Sequence, residues 1–192
     1  MAKAASSSRR RKSTHDAIAL LKADHLALLG WFNDFEHAAS AARQHELAAR
    51  ICAELESHMA VEEQIFYPAY LEATRDEGRH HEAEIEHAAA RHMIGQIRSG
   101  GPDDGHFEAK VNVLARMIRH HIKEEEGRGG MFAKARASSM DLAALGTEIR
   151  ARKAEMEDDA VVRWNGKTEA EAGSAPHTWQ AKLFGGTARR AA

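Results

Sequence analysis

Cysteine is almost missing from this chain of 192 residues, where Cys52 stands alone. No internal disulfide can form, which excludes a disulfide-stapled fold and suits a reducing, cytoplasmic compartment. Proline is nearly as scarce, with only Pro68, Pro102 and Pro176, and aromatic residues make up 6% of the chain. No apolar run approaches the roughly 20 residues that a membrane-spanning helix needs, and nothing near Met1 looks like the core of a signal peptide. The formal net charge is -2, so the chain as a whole offers no case for nucleic acid or an anionic membrane as partner. Gly-rich phosphate loops, Cys-x-x-Cys and G-x-S-x-G motifs are also missing. Alanine, glutamate and basic residues dominate and β-branched residues are few, which is an all-α composition.

Hydrophobic spacing divides the chain into tails and helices. Residues 1–12 form a polar tail read as disordered, and its cluster Arg9, Arg10, Arg11 and Lys12 allows at most a weak contact with nucleic acid. Residues 13–135 contain four amphipathic stretches. In the first, with Ser13 or Thr14 as cap and Asp16 in the first turn, the stripe is Ile18, Leu21, His25, Leu28, Phe32 and Phe35. The second, from about Gln44 to Leu71, aligns Leu47, Ile51, Leu55, His58, Glu62, Ile65 and Ala69, with Pro68 expected to bend it. The third aligns Ala83, His87, Ala90, Ile94 and Ile97. The fourth, after the SGGPDDG loop at 99–105, aligns Phe107, Val111, Leu114, Ile118, His121 and Glu125. Short connections between helices of similar length predict an up-down-up-down antiparallel four-helix bundle. Residues 136–159 carry a weaker stripe of Met140, Leu142, Leu145, Ile149 and Met156, predicting one more helix. Residues 160–192 show no usable period and read as a flexible tail, in which Trp164 and Trp179 are possible anchor points.

Every one of the four main stripes contains a histidine in a slot normally filled by Leu, Ile or Phe. Four imidazoles and two carboxylates converging in a bundle core would be costly unless paired or bound to cations. Spacing alone does not choose the carboxylates, because histidine with glutamate four residues on occurs at 58/62, 80/84, 120/124 and 121/125. The face does discriminate. The 58/62 and 121/125 pairs continue apolar stripes, whereas the 120/124 face turns polar at Lys110 and His106, and 80/84 sits near a helix start. Residues four apart on a helix point the same way. A histidine can thus bind one metal while the glutamate reaches across to a second, the two ions lying roughly 3.5–4 Å apart. Nitrogen and carboxylate donors without thiolate suit iron or manganese over structural zinc. Trp31, Phe32, Phe66, Tyr67 and Phe132 fall at helical spacings and read as core. Asp24 and Tyr67 are available as nearby polar groups, but nothing in the sequence singles them out.

The segments DAIALLKADH (16–25), HMAVEEQIFYP (58–68), EIEHAAARHMI (84–94) and HHIKEEEGRGGMF (120–132) together resemble the hemerythrin-type HHE cation-binding domain, over roughly residues 14–135. The resemblance implies a four-helix bundle around a non-haem di-iron centre, with iron ahead of manganese. It makes His25, His58, His87 and His121 the nitrogen ligands and Glu62 and Glu125 the bridging carboxylates. It also implies a small-ligand partner such as O₂, NO or peroxide, with a role as sensor, store or scavenger. Peroxide turnover and iron sensing or storage are the alternatives. The chain departs from the invertebrate oxygen carriers of this fold at Arg91, where they have a second histidine, and at Glu126, where they have aspartate. One histidine fewer leaves a more open metal pair, which weakens the case for simple reversible O₂ carriage.

Overall fold

The computed structural model describes residues 16–101 and 104–170, with side-chain surroundings through residue 157. Helix α1 (Ala17–Glu36) begins at Asp16, which is extended and accepts a hydrogen bond from the Ala19 N–H at 2.8 Å. The expected cap at Ser13 or Thr14 lies outside the described residues, and Asp16 itself is the cap. Its carboxylate satisfies a free N–H and complements the positive helix end. The α1 stripe buries Ala17, Ile18, Leu21, His25, Leu28, Phe32 and Phe35.

Ser40 caps α2 (Ala41–Val61), three residues earlier than the sequence pattern suggests. The helix then widens into a π-helical turn over Glu62–Phe66 before continuing as α3 (Tyr67–Thr74). Pro68, at the start of α3, can donate no hydrogen bond to the preceding turn. The wider turn accommodates it, with the Tyr67 N–H bonding to the Glu62 carbonyl five residues back. A π-turn inserts one extra residue and so rotates everything beyond it. Accordingly Tyr70 joins the expected Phe66 and Tyr67 in the buried set, whereas the expected Ile65 and Ala69 are only half-buried.

Arg75 ends α3 in the left-handed conformation (φ 58°), and α4 (Glu77–Gly100) buries the expected Ala83, His87, Ala90, Ile94 and Ile97. Helix α5 (Phe107–Glu126) buries Phe107, Val111, Leu114, Ala115, Ile118, His121, Ile122 and Glu125. The glycines after α5 make a tight reversal. Gly129 has φ 74°, and a side chain on Gly130 would lie 2.4 Å from the Glu124 carbonyl oxygen. This reversal lays the short helix α6 (Met131–Ala137) back on the bundle with Met131, Phe132 and Ala135 buried.

Helices α1, α2, α4 and α5 form the all-α antiparallel bundle, α1 packing on α2 and α5, and α4 packing on α2 and α5. Helix α7 (Leu142–Ala170) lies along α1 and α2 and buries Ile149, while Met140, Leu142, Leu145 and Met156 are partly covered. Its backbone runs past residue 159, where the apolar pattern ends. The basic N-terminal cluster and Trp179 lie outside the described residues, as does the side chain of Trp164.

The core is in two apolar layers. One gathers Leu28, Phe32, Leu55, Ala90, Ile94 and Ile118; the other gathers Ile18, Leu21, Val61, Phe66, Ala83 and Phe132. On each bundle helix the histidine lies between them. A polar layer sealed at both ends is the result, and there the low dielectric strengthens every charge interaction.

Candidate metal centre

The polar layer brings together all six residues singled out in the sequence. His25, His58, His87 and His121 are buried, Glu62 is 0% exposed and Glu125 is 2% exposed. The competing pairs face elsewhere. The side chains of His120 and Glu124 are 61% and 49% exposed. His80 is half-buried against an exposed Glu84, 3.4 Å away, with its ring edge toward Tyr67. His92 is exposed and accepts from the Gln96 amide at 3.0 Å.

Each histidine is held by a carboxylate on a neighbouring element. His58 Nδ1 lies 3.2 Å from Asp24 Oδ2, and His87 Nδ1 lies 2.9 Å from Glu63 Oε1. His121 Nδ1 lies 2.8 Å from Glu86 Oε2, and His25 Nδ1 lies 2.9 Å from Glu126 Oε1. These four bonds run α1 to α2, the π-turn to α4, α4 to α5 and α5 back to α1, closing a ring around the bundle. A carboxylate at Nδ1 fixes the proton there and leaves Nε2 as a lone pair, the arrangement that orients histidine toward a metal.

The four Nε2 atoms accordingly point at the bundle axis in two pairs, His25 and His58 at 3.0 Å and His87 and His121 at 3.3 Å. Nitrogen lone pairs that close repel unless a proton or a cation lies between them. Glu62 Oε2 reaches both pairs, lying 3.2 Å from His58, 3.4 Å from His87 and 3.9 Å from His121. Glu125 Oε2 also spans them, 3.4 Å from His25 and 3.7 Å from His121. Donor atoms of His25, His58 and Glu62 cluster within 4.8 Å, as do those of Glu62, His87 and His121, so the two triads share Glu62.

Protonation energetics point the same way. Burial disfavours a charge on His58, but the Glu62 and Asp24 carboxylates outweigh it and push the imidazole up to about 9. Burial likewise opposes charge on His121, and Glu125, Glu62 and Glu86 raise it well above its usual value. His25 is lowered, chiefly by burial. Burial and the neighbouring Glu62 charge raise Glu125 to about 8. Glu62 is held well below the usual carboxylate range because, against its burial, the His58 charge and three histidine hydrogen bonds stabilise its anion. Protons thus compensate the buried charge where cations would. Glu62 Oε1 and Glu125 Oε2 remain buried acceptors of no hydrogen bond, and such orphaned oxygens are rare unless an ion completes them. The donor set fits two cations.

Several functional groups were not legible in the sequence. Tyr67, expected as plain core, places its hydroxyl 3.0 Å from Glu125 Oε1, 3.3 Å from Glu62 Oε2 and 3.2 Å from His87 Nε2. Phe132 stacks on His25 at 5.7 Å with rings 9° apart. Phe32 and Phe66 are core as expected, whereas Trp31 is only partly buried and carries the Arg50 guanidinium 4.1 Å above its ring. Arg91, standing where the oxygen carriers have a histidine, donates to Glu63 Oε1 at 2.7 Å and so braces the carboxylate that holds His87. Lys153 of α7 contacts Asp24 and Lys22 contacts Glu126. The one available signal for the carboxylate ring is adjacency. Asp24, Glu63, Glu86 and Glu126 each sit beside an inward residue. Cys52 takes no part; it lies in the apolar layer, where burial pushes its thiol up to about 11.

Among known proteins, the family model of the hemerythrin HHE cation binding domain matches residues 16–134. A crystal structure of a hemerythrin HHE cation-binding domain-containing protein from Mycobacterium kansasii superposes with a TM-score of 0.64 at 22% identity. That match covers 78% of this chain and 92% of the other, and at this identity it bears on the fold alone. A DNA nickase from Nostoc sp. (strain PCC 7120 / SAG 25.82 / UTEX 2576) is 24% identical over 140 residues, 72% of this chain. The chain spans only 39% of the length of that relative.

Proposed function

Since the chain belongs to the hemerythrin HHE cation-binding domain family, a metal-binding hemerythrin-like protein, we propose that its six inward residues hold two iron ions. In this reading His25 and His58 would hold one ion and His87 and His121 the other, with Glu62 and Glu125 within reach of both. The observation that carries it is the reach of Glu62 Oε2 and Glu125 Oε2 to histidines of both pairs. Iron fits the nitrogen and carboxylate donors better than a structural zinc, which favours closed tetrahedral sites often rich in thiolate. Six protein donors for two ions leave positions for a small ligand, O₂, NO or peroxide. The protein would then act as a sensor, store or scavenger, in the cytoplasm that its single buried thiol suits.

Bound iron would supply reversible redox chemistry and affinity for such ligands. The chain supplies the rest. Asp24, Glu63, Glu86 and Glu126 keep the imidazoles in the metal-binding tautomer. Phe132 and Phe66 wall the layer against water, their rings meeting edge to face at 5.5 Å. The Tyr67 hydroxyl holds a proton between the two inward carboxylates.

Tyr67 also favours a second reading, an enzyme converting hydrogen peroxide to water and O₂. Such turnover needs a proton carrier at the site, and an O–H group 3.0 Å from Glu125 meets that geometric need. The deciding experiment is metal analysis of the purified protein with absorption spectra before and after O₂, NO and H₂O₂. About two irons per chain with reversible spectral change supports the sensor or scavenger, and sustained gas evolution supports the enzyme. A protein with no stoichiometric metal after iron-replete expression would overturn both.

A further inference from the structure

A cavity of about 20 Å³, room for roughly one water molecule, opens between α4, α5 and the start of α6. Its lining runs from outside to inside. Glu82 and Glu124 are exposed, Arg79 and Glu86 are half-buried, and His121 and Glu125 of the polar layer are buried. The inner carboxylate is the one whose Oε2 accepts no hydrogen bond. The outer wall carries three carboxylates against one guanidinium. Arg79 is loosely tethered, with Nη1 3.8 Å from Glu124 Oε2 and Nε 3.7 Å from Asp76 Oδ2. Ion pairs this long and half exposed are weak and open readily.

Resting on the metal-pair reading, we propose that this cavity is the loading route for divalent cations. Glu82, Glu86 and Glu124 draw the cation in, and Arg79 is the movable gate over it. A cavity with room for roughly one water molecule cannot hold a divalent cation together with its full water shell. The cation must exchange waters for carboxylate oxygens, and the lining provides them from the surface inward to Glu125. Glu86 is suited to the step by position, since it lines the cavity and its Oε2 lies 2.8 Å from His121 Nδ1, joining the outer wall to the polar layer. The same negative wall repels anions and gives neutral gases no advantage, so the chemistry selects cations. Clustered charge of one sign also raises association rates, and salt weakens the effect.

The test is stopped-flow uptake of Co(II) by the chelator-stripped full-length protein, followed by its visible absorption, with the end point titrated separately. The double variant Glu82→Gln/Glu124→Gln should load about tenfold more slowly at low salt, with the native end-point stoichiometry and circular dichroism spectrum. Its deficit should shrink as salt is raised, and Arg79→Ala should load faster than native. Native rates in both variants would overturn the route. A lowered end point in the double variant would make these glutamates ligands, which also overturns it. If the native protein took up no Co(II), the metal-pair reading itself would fall with it.

Discussion

Glu126 Oε1 lies 2.9 Å from His25 Nδ1, and that bond joins the last helix of the bundle to the first. The preceding residue, Glu125, faces the other nitrogen of the same imidazole, with Oε2 3.4 Å from Nε2. Two successive residues of α5 thus grip His25 from both sides, one from outside the polar layer and one from within it.

Glu126→Ala should therefore weaken metal binding without removing a ligand. Loss of a carboxylate behind a metal-bound histidine typically costs 10–100-fold in affinity. The expected outcome is a drop of that size for one of two binding steps in a chelator-competition titration, with the full stoichiometry recovered at excess metal. An unchanged affinity would show that the ring of carboxylates is not needed to orient the imidazoles.

Glu62→Ala and Glu125→Ala should each abolish the spectroscopic or magnetic coupling between two metal ions. Glu84→Ala and Glu124→Ala should leave it intact, because those side chains are more than or about half exposed. Equal effects from all four would contradict the assignment of the inward pairs.

Tyr67→Phe keeps the ring packing and removes the hydroxyl. A buried acceptor left without its donor costs about 1–3 kcal/mol, so the cation-free protein should unfold at a lower denaturant midpoint with an unchanged slope. If peroxide is turned over, the variant should lower that rate while retaining full metal content. Full turnover in the variant would remove Tyr67 as the proton carrier.

The polar layer should respond to pH with opposite signs when loaded and when stripped. His58 is raised from an ordinary value of 6.5 to about 9 by Glu62 and Asp24 despite burial. Glu125 is raised from 4.5 to about 8, by burial first and Glu62 second. For a group whose folded value is raised, the folded state binds more protons, so its stabilising contribution is full below the unfolded value and disappears through the folded one. Glu125's share of the loss begins above about 4.5 but is opposed below 6.5 by His25, which burial lowers. Stripped protein should accordingly lose stability chiefly as pH rises from about 6.5 to 9. Metal competes with those same protons, so loaded protein should gain affinity over this range and release protons on binding. Melting temperatures of the two forms across the window check both signs.

Much of this molecule was legible from spacing alone. Buried faces of α1, α4 and α5 coincide with the stripes read from sequence, because a regular helix carries a fixed rotation of about 100° per residue. The same arithmetic failed beyond Glu62. There the π-turn ahead of Pro68 added a residue to the turn, leaving Ile65 and Ala69 half-buried and bringing Tyr70 inward beside Phe66 and Tyr67. The first cap was misplaced for a different reason. Ser13, Thr14 and Asp16 are all competent caps by type, and the cap is the one whose carboxylate meets the free Ala19 N–H.

By itself, the sequence determined an all-α chain and placed four histidines and two glutamates on buried faces, since residue type and helical period are local properties. Which carboxylate holds which histidine was decided only in the assembled bundle. Asp24 reaches His58, Glu63 reaches His87, Glu86 reaches His121 and Glu126 reaches His25, each across a gap between elements. Those pairings depend on the rotation and register of one helix against the next, which the packing of the two apolar layers sets and no single stripe encodes.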